Sequence, residues 1–374
     1  MDSHKHFHML HNKEIDEFFF NMGVRSFVFA LVSVFIPIFL LDLGFSLVDI
    51  FLVYLVMSIV HICAAFASAF VSSKIGFKHT IIISQPFLIA FFLVLFSMEL
   101  YSLPLILIPI TYGLYSGLFW AAFHSDFAKF SDDGKQGSEV AFRNIIASLL
   151  SIVAPVAGGV IVAFFSFGHM FIFVIFLIII SVFPLFLTKD SKADINFSLK
   201  NIFSKRRIDH TLGYFGYGLL ARGFGVIWPI FLFTLILDKN YLGLGALTSL
   251  FFFFSFISTL VIGKKFDKHN KGFIRKIFGF SGLVWLAKLF VLVPVFAYVA
   301  DSLHGLTKPA NEITVDAVTY EHAKPNVLEY ILYRETMIHI GIILAMAILV
   351  VIPNLFLGLV IASIGSFFMI FLQK

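Results

Sequence analysis

Cysteine is almost missing from this chain: Cys63 is the only one in 374 residues. That excludes an intramolecular disulfide and any thiol site built from paired cysteines. Cys63 lies in an apolar run and is expected to be a small buried hydrophobe. Charge is scarce as well. Asp, Glu, Lys and Arg make up 13% of the residues, against roughly 25% in a soluble domain. No phosphate loop, nucleophile elbow or zinc-enzyme spacing is present, so nothing points to ATP-driven work or to an enzyme, and no cofactor is expected. No stretch alternates apolar and polar residues over a strand long enough to span a bilayer, which argues against a β-barrel. The first turns of chain carry Asp2, Glu14, Asp16 and Glu17 and no small-residue cleavage site after an apolar stretch, unlike a signal peptide.

What fills the chain instead is apolar. Sixty per cent of the residues are hydrophobic and 51 are Phe, and the mean hydropathy is +0.98. The remaining polar residues could not cover a core of that size, so lipid is the expected solvent for most of the chain. This excludes a cytosolic enzyme, a secreted disulfide scaffold and a disordered regulator. A helix needs about 20 residues to cross the hydrocarbon layer. Twelve spans fit: 24–43, 46–72, 79–98, 103–125, 140–165, 168–188, 211–237, 242–263, 276–293, 295–318, 330–352 and 354–372. The net charge of +5 fits basic cytoplasmic loops rather than nucleic acid. With the N-terminus inside, all of the 27 Lys and Arg except Arg222, Lys239, Lys288 and Lys308 fall in inner segments. The tenth span is the most polar. Tyr298 to Pro325 reads alternatively as an outer loop, which would reverse the last two spans and spoil that bias.

The chain is also doubled. Pro37-Ile38-Phe39-Leu40 in the first span recurs as Pro229-Ile230-Phe231-Leu232 in the seventh. Ser73-Lys74 after the second corresponds to Asp267-Lys268 after the eighth. Gly117-Leu118 in the fourth corresponds to Gly305-Leu306 in the tenth, and Phe142-Arg143 in the fifth to Tyr333-Arg334 in the eleventh. Four matches in order, at similar spacing, point to two parallel six-helix repeats, an architecture of transporters with a site at the midplane. The expected organisation is a cytoplasmic tail at 1–23, a bundle at 24–188, a cytoplasmic linker at 189–210 and a second bundle at 211–374.

On these features the sequence resembles the major facilitator superfamily. The loop after the second span, Ala69-Phe70-Val71-Ser72-Ser73-Lys74-Ile75-Gly76-Phe77-Lys78, is similar to the family pattern Gly-x-Leu-x-Asp-Arg-x-Gly-Arg-Arg. Gly76, Lys74 and Lys78 match, and Ser73 replaces the acid. The second copy, Gly263-Lys264-Lys265-Phe266-Asp267-Lys268, keeps it. The resemblance implies a charge lock at the cytoplasmic face, with its N-terminal copy weakened by Ser73. Ala154-Pro155-Val156-Ala157-Gly158-Gly159 resembles the Gly-Pro-x-x-Gly-Gly motif of proton-exchanging exporters. There Pro155 bends the span while Gly158 and Gly159 let helices close up. The basic residue that such antiporters carry in the fourth span is absent between Thr111 and Gly117.

Ionisable side chains inside a membrane are costly and need a reason. Asp301, His304, Lys308, Glu312 and Asp316 on the tenth span fall on about a third of the helix circumference, as a cavity wall requires, and Lys308 and Glu312 are placed to pair. Arg222, mid-way along the seventh span, and Lys288 in the ninth each need an anion, with Asp301 and Glu312 as candidates. Snorkelling could rescue Lys288. The family resemblance implies that spans one, four, seven and ten line the cavity, so that Arg222 and the tenth-span stripe face substrate. His61 in the second span reads as a packing residue or a coupling group. His124 and Asp126, with Lys129, Lys135 and Arg143, and likewise Arg334, Glu335 and His339, are expected to be loop electrostatics. His4, His6, His8 and His11 have a spacing that suits a divalent metal, but such tails also occur without one, and no metal site is assigned.

The expected protein is all-α, a polytopic membrane protein of twelve transmembrane helices in two pseudo-symmetric six-helix bundles. It sits as a monomer in the plasma (inner) membrane with both termini cytoplasmic. Its expected function is secondary active transport of a small-molecule substrate by alternating access, with protons as the coupling ion taken up by Glu312, Asp316 or Asp301. The alternatives are a broad-specificity drug or metabolite exporter of the same fold, using Trp120, Trp228, Trp285 and the many Phe, and a non-transporting receptor or assembly protein.

Overall fold

The structure is a computed structural model and describes residues 13–131, 136–183, 199–204, 206–267, 271–324 and 326–372. His4, His6, His8, His11 and Lys268 lie outside these residues. Among the described residues there is no strand. The first half consists of α1 (Lys13–Val32, continued by Ile36–Asp42), α2 (Leu47–Ile75), α3 (Phe77–Leu100), α4 (Leu107–Phe130), α5 (Gln136–Ser151, continued by Ala154–Phe164) and α6 (Phe167–Val182). The second half consists of α7 (Ile208–Arg222, continued through Trp228–Phe231 by π-helical turns at Gly223–Ile227 and Leu232–Ile236), α8 (Tyr241–Asp267), α9 (Lys271–Ala287), α10 (Pro294–Ala323), α11 (Val327–Val351) and α12 (Leu355–Phe368). By length and composition, seven of these crossings can span a bilayer outright, and α6 and α12 are shorter apolar helices.

Local sequence explains the breaks. Pro37 and Pro155 each open a new helical segment in α1 and α5, because proline lacks the N–H that would continue the ladder. Pro229 stands between the two π-helical turns of α7. α2 starts at a capping box: Ser46 Oγ accepts from Asp49 N (3.2 Å), and Asp49 Oδ2 accepts from Ser46 N (2.9 Å). Gly76 joins α2 to α3 at φ +99°, a conformation open to glycine and strained for other residues.

The tenth span is a continuous helix of 30 residues, Pro294–Ala323, so the outer-loop alternative is discarded. Its polar side chains point at partners inside the bundle, and a helix hydrogen-bonds its own backbone even there. Phe164, Phe176, Phe183 and Leu292 are exposed while Arg143, Lys288, Asp301 and Arg334 are buried, the reverse of a water-soluble protein. Cys63 also faces outward, contrary to its expected burial. A thiol is apolar enough to meet lipid, so an apolar run alone did not fix which side it takes.

The helices of the two halves pack in the same pattern. In the first, α1 meets α5 and α6, α4 meets α2 and α3, and α3 meets α6. In the second, α7 meets α11 and α12, α10 meets α8 and α9, and α9 meets α12. The match extends to atoms. A Cβ on Gly117 would lie 2.3 Å from the His61 carbonyl oxygen, and one on Gly305 would lie 2.4 Å from that of Phe251. Next to them, Ser68 Oγ donates to Leu118 O (2.9 Å) and Ser258 Oγ donates to Leu306 O (2.5 Å). The same two devices bring α4 against α2 and α10 against α8. The halves meet where α2 packs on α11 and α5 on α8.

In α5, a Cβ on Gly158 would sit 2.2 Å from Leu31 O on α1, and one on Gly159 would sit 2.7 Å from Tyr241 O at the start of α8. Backbone cannot yield as a side-chain tip can. Gly158→Val should therefore cost more than the usual overpacking penalty of about 1–3 kcal/mol. Thermal melts of purified protein should show a clear drop; an unchanged midpoint would mean that α1 and α5 are not so close.

Candidate functional site

Charge is concentrated between the halves. Asp316 on α10 accepts from Arg143 Nη2 of α5 through Oδ2 (2.6 Å) and from Arg334 Nη2 of α11 through Oδ1 (2.7 Å). Arg334 Nη1 donates to Glu335 Oε1. The other carboxylate oxygen, Oε2, lies 2.9 Å from His61 Nε2 on α2. His61 Nδ1 lies 2.9 Å from Ser116 Oγ, and its ring stacks on that of His339 at 3.6 Å between centroids. Arg143 also reaches the Tyr320 hydroxyl (3.3 Å), which lies 2.7 Å from His124 Nδ1 on α4. The chain of bonds crosses between the halves through Arg143–Asp316, His61–Glu335 and His124–Tyr320.

Two guanidiniums and two carboxylates balance within this buried cluster. Buried pairs survive only when their remaining polar atoms are satisfied, and breaking one strands the other. The expectation of loop electrostatics is therefore corrected for His124, Arg143, Arg334, Glu335 and His339, all of which are buried. Glu335 and His339 sit four residues apart on one face of an apolar helix, with Arg334 adjacent. That spacing was the available signal, since charge on such a face must meet a partner.

The cluster borders a cavity of about 400 Å³ between the halves. Lys308 and Glu312 stand in it as an ion pair (2.6 Å), with side chains 23% and 31% exposed, and Asp316 and His61 also line it. Arg25 on α1 lines the cavity too and is buried. It donates to Gln85 Oε1 (2.8 Å) and to the Tyr115 hydroxyl and lies over the Phe119 ring. Among the described residues it has no ion pair, so the cavity wall carries a cation held by neutral groups. Sequence reading counted Arg25 only as an inner-face charge. Among the tryptophans, Trp120 lines this cavity.

Two members of the tenth-span stripe face elsewhere. Asp301 is buried inside the second bundle. Its Oδ1 accepts from Trp228 Nε1 (2.7 Å) and from Lys288 Nζ (3.0 Å). Lys288 is fully buried and lies over the Trp228 and Trp285 rings, so it does not snorkel. His304 is enclosed by Phe224, Phe251 and Trp285. The stripe is continuous in angle, but α7, α8 and α9 close over its first two turns. Arg222 meets neither Asp301 nor Glu312. It lies over the Tyr54 ring of α2 at 5.2 Å, and among the described residues it has no ion pair.

The loop motif is less informative. Ser73 Oγ donates to Phe70 O of its own helix, Lys74 is exposed and Lys78 is part-exposed. Asp267 ends α8.

The sequence matches the family described as Major Facilitator Superfamily over residues 18–327. No curated protein matches it. Among solved structures, a variant of the E. coli fucose:proton symporter FucP is similar with a TM-score of 0.63 at 13% identity, over 94% of this chain and 96% of that one. FucP in the outward conformation gives 0.67 at 13% identity, over 96% and 97%. The human organic anion transporter MFSD10 (TETRAN) gives 0.68 at 11% identity, over 95% and 97%.

Proposed function

The chain belongs to the major facilitator superfamily, and from that premise we propose that it is a proton-coupled secondary transporter of a small anionic solute, working by alternating access. The observation that carries this reading is the Arg25 guanidinium on the cavity wall, ion-paired to nothing among the described residues. An uncompensated cation in a site of low dielectric favours an anion strongly. The Lys308–Glu312 pair supplies the coupling group. Glu312 is the stripe's most water-accessible acid and has a single charged partner, so a proton can reach it and free Lys308. Asp316 has both oxygens occupied by guanidiniums and acts as a lock between the halves instead. The similar structures, a fucose:proton symporter and an organic anion transporter, are compatible with a small polar cargo and a proton.

The basic-residue pattern supports placing tail 1–23, linker 189–210 and both termini in the cytoplasm; we take the protein as a monomer in the plasma membrane. Bundles 24–188 and 211–374 then rock about the cavity between them.

Reconstituted in liposomes and offered a panel of small organic anions, the protein should accumulate at least one when a pH gradient is imposed. Glu312→Gln should abolish accumulation while leaving substrate exchange intact. Uptake that ignores the gradient would end the coupling assignment. Uptake of neutral solutes alone, unaffected by Arg25→Gln, would end the anion assignment.

A further inference from the structure

The contact between α2 and α11 holds a set of ligand atoms to which the transport reading above gives no role. His61 Nε2 and Glu335 Oε2 are 2.9 Å apart, and His61, Glu335 and His339 each offer one ligand atom, all within 4.8 Å of one another. All three residues are buried and line the cavity between the halves. His339 is 7% exposed, and its Nδ1 has no hydrogen-bond partner.

We propose that His61, Glu335 and His339 form a binding site for a divalent transition metal of the zinc class, which clamps the first half to the second. The donor set, two imidazoles and one carboxylate, suits zinc and leaves a fourth position open to the cavity. Bonds of about 2.0–2.2 Å place tetrahedral ligand atoms about 3.4 Å apart, so modest ring rotations close the present spacing around an ion. The second shell is in place. Ser116 Oγ lies 3.3 Å from Gly113 O and 2.9 Å from His61 Nδ1. When its hydrogen goes to Gly113, His61 Nδ1–H donates to Ser116 and the lone pair of Nε2 faces the carboxylate. Without an ion the other tautomer lets Nε2–H donate to Glu335; with one, the Ser116 partner orients the metal-bound imidazole. Arg334 holds Glu335 by Oε1, leaving Oε2 for the metal. Since one ligand comes from α2 and two from α11, an ion here would hold those helices together and oppose the rocking proposed above, although the site itself stands whether or not the protein transports.

Zinc titration calorimetry on detergent-purified protein tests this. The parent should carry Ala at His4, His6, His8 and His11 and Cys63→Ser, which removes the tail histidines and the thiol as competing ligands. One equivalent of zinc should bind, and the melting temperature should rise with zinc and fall back with chelator. His339→Ala should weaken binding about tenfold or more and abolish the zinc-dependent rise, read against the variant's own zinc-free melt, which loss of the ring stacked on His61 lowers. His61→Ala should do the same to binding. His169→Ala, outside the site, should leave binding intact. Absence of zinc binding in this parent, or equal affinity in His339→Ala, overturns the site and leaves the transport reading standing. Failure of proton-driven uptake with zinc binding intact would do the converse.

Discussion

Replacing Asp316 by alanine should lower stability by about 3–5 kcal/mol, the cost of stripping a buried ion pair of one member. Asp316 is the shared counter-ion of Arg143 and Arg334, whose side chains are 8% and 6% exposed. Without it Arg143 keeps only neutral bonds, to Tyr320 and Asn144, while Arg334 retains Glu335. Fluorescence-detected size exclusion after heating should show the folded peak disappearing well below the parent's midpoint. The double variant Asp316→Asn with Arg143→Gln removes one charge of each sign and should recover most of the loss. It should still fail to transport, because the lock between α5 and α10 is gone. A single variant that melts with the parent would mean that water reaches these guanidiniums and that no lock exists.

Lys288→Met should be nearly as severe, for the same reason in a different place. It leaves the Asp301 carboxylate buried with Trp228 as its remaining donor, which again costs about 3–5 kcal/mol. Lys288→Met combined with Asp301→Leu removes both charges from a site walled by Trp228 and Trp285. Apolar replacement of a buried pair is often neutral or stabilising, so this double variant should fold and retain transport. Here the cavity-facing pair and the enclosed pair part company: neutralising Glu312 abolishes proton-driven uptake, whereas neutralising Lys288 with Asp301 does not. A folded double variant that cannot transport would put Asp301 back in the coupling path.

These expectations show how far sequence reaches at the site. The angular stripe from Asp301 to Asp316 is real, and the i,i+4 pair Lys308–Glu312 forms as spacing predicts. Helical periodicity states direction from the helix axis and nothing about what stands opposite. Over the first turns of α10 the opposing surface is the second bundle's own aromatic packing; over the later turns it is the cavity. Lys288 found one of its two named candidates, Asp301, whereas Arg222 found neither. Arg25, Arg143 and Glu335 lie near predicted span ends, where charge ordinarily meets water and carries no signal. They became informative once burial was known.

Composition and periodicity alone determined that the chain lives in lipid, crosses it as helices and consists of two copies of one half. Each follows from a rule that acts locally: apolar length against bilayer thickness, backbone hydrogen bonding without water, and repeated motifs at near-constant offset. Tertiary structure decided which charges meet. Arg143 finds Asp316 across 173 positions, and His61 finds Glu335 across 274. Those pairings depend on how two bundles face one another, and Coulomb attraction between distant residues leaves no periodic trace along the chain.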